Sequence, residues 1–135
     1  MTFFPELSPN TYGRTEPDAQ VLNVGRLAGG QPFARGSVSY PFFRTLLRLS
    51  KSPVHLCRGT HVCPFCEPPR DIIAQDPHYY YIWSQRREGN GEIRVTGLNR
   101  FIYVAPVLIV HYIAEHQYQP PEEFIDAVLR LDEAQ

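Results

Sequence analysis

Four residues in a stretch of ten carry the side chains that soft metal ions take: Cys57, His61, Cys63 and Cys66, in the spacing Cys-x3-His-x-Cys-x2-Cys. Zinc favours thiolate sulfur and imidazole nitrogen in a tetrahedron. The Cys63-Pro64-Phe65-Cys66 turn brings two sulfurs within reach of one ion, with His61 and Cys57 just upstream. The competing reading, buried structural cysteines beside a hydrogen-bonded histidine, leaves the clustering unexplained. All three cysteines of the chain fall in this stretch. Cysteines gathered beside a histidine, rather than spread in pairs, point to a metal and a reducing compartment. Zinc is the cofactor this pattern implies.

The fourth ligand is open. A site made only from residues 57–66 would staple one loop to itself, whereas a metal that ties distant segments closes a longer loop and stabilises more. His111 and His116 are the distant candidates. At 3.6 residues per turn they point ~140° apart on a regular helix. One of them could replace Cys57 as the fourth ligand, and the other would then be a core or capping histidine. His55 and His78 have no ligand spacing.

Two catalytic readings of the cluster fit less well. Cys-Pro-Phe-Cys resembles the dithiol of glutaredoxin-like proteins, which opens a helix. Here Glu67-Pro68-Pro69 follows, and the residue before a proline is pushed out of helical conformation. A zinc deaminase needs His-x-Glu before its Cys-x-x-Cys, and no Glu lies two after His61. A hydrolase-like enzyme with an open zinc position would need Cys57 to stand off, with Glu67 or Glu115 as candidate bases. No serine nucleophile motif, phosphate loop or dinucleotide fingerprint is present.

The elements that must hold these residues can be read from periodicity and punctuation. The chain has 135 residues, 43% of them hydrophobic, and a net charge of -1. That suits one folded domain and disfavours the disordered class. Residues 1–20 show no period and read as an irregular N-terminal segment, leaving 21–135 as a single zinc-binding α+β domain. Val21 to Leu27 suits a short strand. Tyr40 to Lys51 reads as a helix, with Pro41 in its first turn and Phe42, Leu46 and Leu49 along one stripe. Residues 57–70 read as a loop. His78 to Arg87 is rich in strand-forming types. With a turn at 88–92 and strands at 93–96 and 101–104, it predicts a three-stranded antiparallel meander. Pro106 opens a largely buried helix to about Gln117. A further helix follows Pro120-Pro121, with Phe124, Ala127, Val128 and Leu131 at core spacing. The fold class is thus α+β: a small meander packed on helices, with a zinc-stapled loop.

The longest apolar stretch, Phe101 to Ile113, falls short of the ~20 residues that span a bilayer. No secretory leader is visible, and a cytoplasmic location is expected. Charge is uneven. Residues 26–100 hold eleven Lys or Arg against five acids, and residues 101–135 hold one against six. An Arg-rich face could meet an acidic partner, protein first and nucleic acid second. If Tyr79, Tyr81 and Trp83 alternate on one strand beside Arg86, Arg87, Arg94 and Arg100, they would suit single-stranded nucleic acid. The bland alternative is a sheet face packed on helices with arginines at its rim.

Four segments, LNVGRL (22–27), RGTHVCPFC (58–66), GEIRVTG (91–97) and APVLIVHYIAEHQYQPPEEFIDAV (105–128), resemble a family of small uncharacterised bacterial proteins. That family pairs an Arg-Gly-x-His-x-Cys-x-x-Cys cluster with a His-Tyr-Ile-x-x-His-x-Tyr-x-Pro-Pro segment. The resemblance implies a bacterial, cytosolic protein in which His61, Cys63, Cys66, His111 and His116 matter together, and it leaves Cys57 outside the shared pattern. It carries no activity. The expected function is a zinc-stabilised, non-catalytic interaction or regulatory protein, immunity-like in size. A zinc-dependent enzyme and a single-stranded nucleic-acid binder are the alternatives.

Overall fold

Ser39 starts the first helix: its hydroxyl accepts the Phe42 amide, and Pro41 occupies the first turn, where its missing donor costs nothing. In the computed structural model, which describes residues 4–10, 20–54, 61–85 and 87–133, this is α1, Tyr40–Ser50. Phe42, Thr45 and Leu46 are fully buried, and Arg44 and Arg48 face solvent. Burying Phe42 or Leu46 contributes about 1.5–3 kcal/mol each.

The main sheet has three strands in the order β1 (Gln20–Asn23), β5 (Phe101–Pro106), β4 (Glu92–Thr96). β4 runs antiparallel to β5, with Arg94 opposite Val104. β1 runs parallel to β5, with Val21 opposite Ile102. The sheet is therefore mixed, which corrects the antiparallel meander. The architecture remains α+β. Alternation along the strands is clean. Ile93, Val95, Tyr103 and Ala105 enter the main core, while Val21, Ile102 and Val104 form a second cluster.

Two elements account for the correction. Tyr79–Ser84 forms a helix, α3, after a short α2 at Arg70–Gln75. The Asp76 carboxylate accepts the His78 amide, and the Tyr79 and Tyr80 amides bond back to Asp76 and Pro77, which nucleates a turn. Tyr80 then stacks on Trp83 three residues on, a helical neighbour. The hairpin expected at 88–92 does not form. Instead β3 (Glu88–Gly89) pairs with β2 (His61–Val62) as a separate antiparallel ribbon.

The fourth helix, α4, runs over Ile109–His116, three residues later than the expected start at Pro106. The last, α5, runs over Glu122–Glu133, with Phe124, Ala127 and Val128 buried. Phe42 of α1 meets Phe124 of α5 edge to face at 6.2 Å, so the two helices pack together over the sheet. Residues 4–10 are bonded along β1: the amides of Leu7 and Asn10 donate to the carbonyls of Asn23 and Val21. No helix among the described residues is long and apolar enough to cross a membrane.

Candidate metal centre

The cysteine turn is presented by the small ribbon. Beyond β2 the ladder gains one rung, the Cys63 amide donating to the Arg87 carbonyl at 2.7 Å. Gly89 on β3 lies hard against the start of α4: a Cβ there would come 3.3 Å from the Leu108 amide nitrogen and from its Cγ. The ribbon is thereby set beside α4, and Cys63 emerges facing it. The turn itself is tightened by the Phe65 amide, which donates to the Cys63 sulfur at 3.4 Å.

From α4 come two imidazoles. The Cys66 sulfur lies 3.3 Å from His111 Nε2 and 3.4 Å from His116 Nε2, and the Cys63 sulfur lies 3.3 Å from His116 Nε2. One ligand atom from each of Cys63, Cys66, His111 and His116 falls within 4.8 Å of every other. Such a group could hold a metal ion. Cys63 is buried and the other three are half-buried.

Both imidazoles come within reach of the cysteine sulfurs, although a regular helix was expected to bring only one of them there. They stand ~7.5 Å apart along the axis and ~140° apart around it. The shorter arc between them holds Glu115, which is exposed, and Tyr112, which is buried. The cysteine turn lies across that arc: Phe65 packs on Tyr112 at 5.7 Å and on His116 at 5.5 Å. His116 is the last residue of α4, and Gln117 turns left-handed at φ 58°, so nothing helical follows to obstruct it. The imidazoles tilt inward until their centroids are 5.1 Å apart.

Further contacts fix the end of α4, and spacing gave no sign of them. Arg35 donates to the His116 carbonyl at 3.2 Å, Gly36 to that of Gln117, and Gln119 to that of Ala34. A cation at a helix C-terminus meets the negative end of its dipole. Phe33 packs on both Phe65 and Tyr118. The only sequence signal for Arg35 was its charge, which carries no position.

Electrostatics suit a cationic guest. Burial, opposed by the Phe65 amide and reinforced by the Cys66 sulfur, pushes the Cys63 thiol up to about 11. A cation against the sulfur reverses that balance and holds the thiolate. Burial pushes both histidines below their ordinary value, His111 further through its neighbour His116, and Glu115 opposes the shift in each. Neutral imidazole is the ligating form.

The remaining sequence candidates stand apart. Cys57 and His55 lie outside the described residues, as does Arg86. His61 is in β2, and its side chain also lies outside the description. His78 is exposed beside Tyr81. The aromatic strand face does not exist, because Tyr79, Tyr81 and Trp83 belong to α3. Arg87 stacks on Trp83 at 5.2 Å and donates to its carbonyl, and Arg94 sits 3.5 Å from Glu92.

A family model described as a domain of unknown function, DUF7919, matches residues 2–129. The chain belongs to this family. The matched span takes in both the cysteine turn and α4, and so all four converging residues. No curated protein and no solved structure matches the chain.

Proposed function

We propose that Cys63, Cys66, His111 and His116 bind one zinc ion as a closed structural centre, and that the protein is a non-catalytic interaction or regulatory protein built around it. The observation that carries this is the convergence of four ligand atoms within 4.8 Å from two segments distant in sequence. With Zn–S near 2.3 Å and Zn–N near 2.0–2.1 Å, a tetrahedron has S···N edges of roughly 3.6 Å. The three measured S···N separations, 3.3, 3.3 and 3.4 Å, are close to that edge. Two thiolates and two imidazoles complete a tetrahedral shell and leave no position for a reacting water. The two carboxylates that might have served as bases, Glu67 and Glu115, are both exposed side chains. An ion here ties a loop to a helix 45 residues on, and binding free energy becomes folding free energy.

The test is metal analysis of purified protein, with melting in the presence and absence of a strong chelator. About one zinc per chain, and a melting temperature that falls on chelation, are expected. Metal-free protein whose melting ignores the chelator would end the proposal. Cobalt substitution separates the closed site from an open, enzyme-like one: tetrahedral absorption bands should not move when small anions are added.

A further inference from the structure

Two of the four converging residues can also bond to each other. The sulfurs of Cys63 and Cys66 lie within 4.8 Å, and among the described residues these are the only thiols. The turn itself holds them there. The Phe65 amide donates to the Cys63 sulfur, and the Phe65 ring packs on Phe33, Tyr112 and His116. None of these contacts runs through a bound ion.

The two sulfurs differ in access. Cys63 is 3% exposed, whereas Cys66 is half-buried. A small oxidant in solvent therefore meets Cys66 first, and the buried Cys63 stands within reach as the resolving thiol. The pair lacks the setting of a catalytic dithiol, which opens a helix whose N-terminus favours thiolate. Here the next helix, α2, begins only at Arg70. In this chain a cation against the sulfurs favours the thiolate, the nucleophilic form, so the centre that binds the ion also primes its own cysteines.

We propose, resting on the zinc centre put forward above, that Cys66 and Cys63 form a site of oxidative modification that empties it: a hydroperoxide joins the two sulfurs, and the zinc leaves. The Cys66 thiolate attacks one oxygen of hydrogen peroxide. The O–O bond breaks, the departing hydroxide takes a solvent proton as water, and Cys66 carries a sulfenic acid. The Cys63 thiolate then attacks the Cys66 sulfur. The S–S bond forms, the S–O bond breaks, and hydroxide leaves with a second solvent proton as another water. Two electrons have passed from the two sulfurs to the peroxide. A disulfide offers no thiolate, so two imidazoles remain, too few for a tetrahedral zinc shell. None of the four ligands lies in the main sheet, α1 or α5. The body of the fold therefore persists while the cysteine turn and the end of α4 lose their tie, and reduction restores it.

The test takes the full chain loaded with zinc and adds hydrogen peroxide, beside a metal-indicator dye too weak to strip untreated protein. Released zinc is followed in time with intact mass and with peptide mapping after alkylation. One zinc per chain should appear in step with a Cys63–Cys66 disulfide, and dithiothreitol should return it to the protein. Circular dichroism should hold its helix and sheet signal throughout. Cys57→Ser should release zinc at the wild-type rate. Zinc retained after the disulfide forms overturns the proposal. So does a disulfide that joins Cys57 instead, or a Cys66 driven to sulfinic acid, which dithiothreitol does not reverse. A loaded chain that ignores peroxide overturns the switch and leaves the zinc centre standing; a chain that never holds zinc overturns the centre and the switch with it.

Discussion

Cys66 is central to the proposed site, because its sulfur lies 3.3 Å from His111 Nε2 and 3.4 Å from His116 Nε2. Cys66→Ser should therefore abolish stoichiometric zinc and lower the melting temperature by about 5–10 °C, read by metal analysis and calorimetry. Cys57→Ser should leave one zinc per chain, and metal loss in that variant would return Cys57 to the ligand set. Tyr103 makes a second residue-level prediction. Its hydroxyl donates to Glu123 at 2.7 Å, and burial, with that carboxylate adding to it, pushes its pKa up to about 12 from an ordinary 10. A raised folded-state value means the contribution is complete below pH 10 and is lost as pH climbs from 10 to 12. Denaturant melts across that window should show a loss of stability that Tyr103→Phe lacks. At this scale the candidate ligand types were legible in the sequence, and the convergence of both imidazoles on the cysteine turn was not. Projecting side chains as spokes from a helix axis separates His111 from His116; it ignores that an imidazole at a helix end is free to lean. The turn's own Phe65, which fills the arc between them, has no spacing that marks this role.

Elements whose periodicity answers to one core were legible: α1 and α5, each with a single buried stripe, and the alternating β4 and β5. α3 was not, because its Tyr-Tyr-Tyr-Ile-Trp run has strong strand propensity and propensity yields to local hydrogen bonding. The deciding feature is Asp76-Pro77, a helix-opening pair whose carboxylate and carbonyls accept the amides of residues 78–80. The parallel pairing of β1 with β5 was also hidden, since Gln20 and its partner Phe101 are 81 residues apart in sequence and their contact leaves no local trace. The bend after β1 offers a check on how elements are set. Gly25 has φ +71°, and a Cβ there would lie 3.1 Å from Ile109 Cδ1 on α4. Gly25→Ala should cost about 1–3 kcal/mol, from backbone conformation and from crowding α4, and show as a lower urea midpoint.

For the molecule as a whole, the cysteine turn, the end of α4 and residues 33–36 form one connected patch through Phe65, Phe33 and Arg35. Chelation should loosen that patch before the sheet. Amide exchange should rise first near residues 63–66 and 34–36, with β4 and β5 protected longest; uniform exchange would mean the metal holds nothing locally. Its reach extends to the beginning of the chain. The Glu6 carboxylate accepts the Gly25 amide at 2.7 Å and also accepts the hydroxyl of Tyr118, a fully buried side chain two residues beyond His116. Anyone shortening this protein at its front, or replacing its first ten residues with a purification tag, would strand that hydroxyl in an apolar setting. The damage would surface not at the trimmed end but as leaky metal.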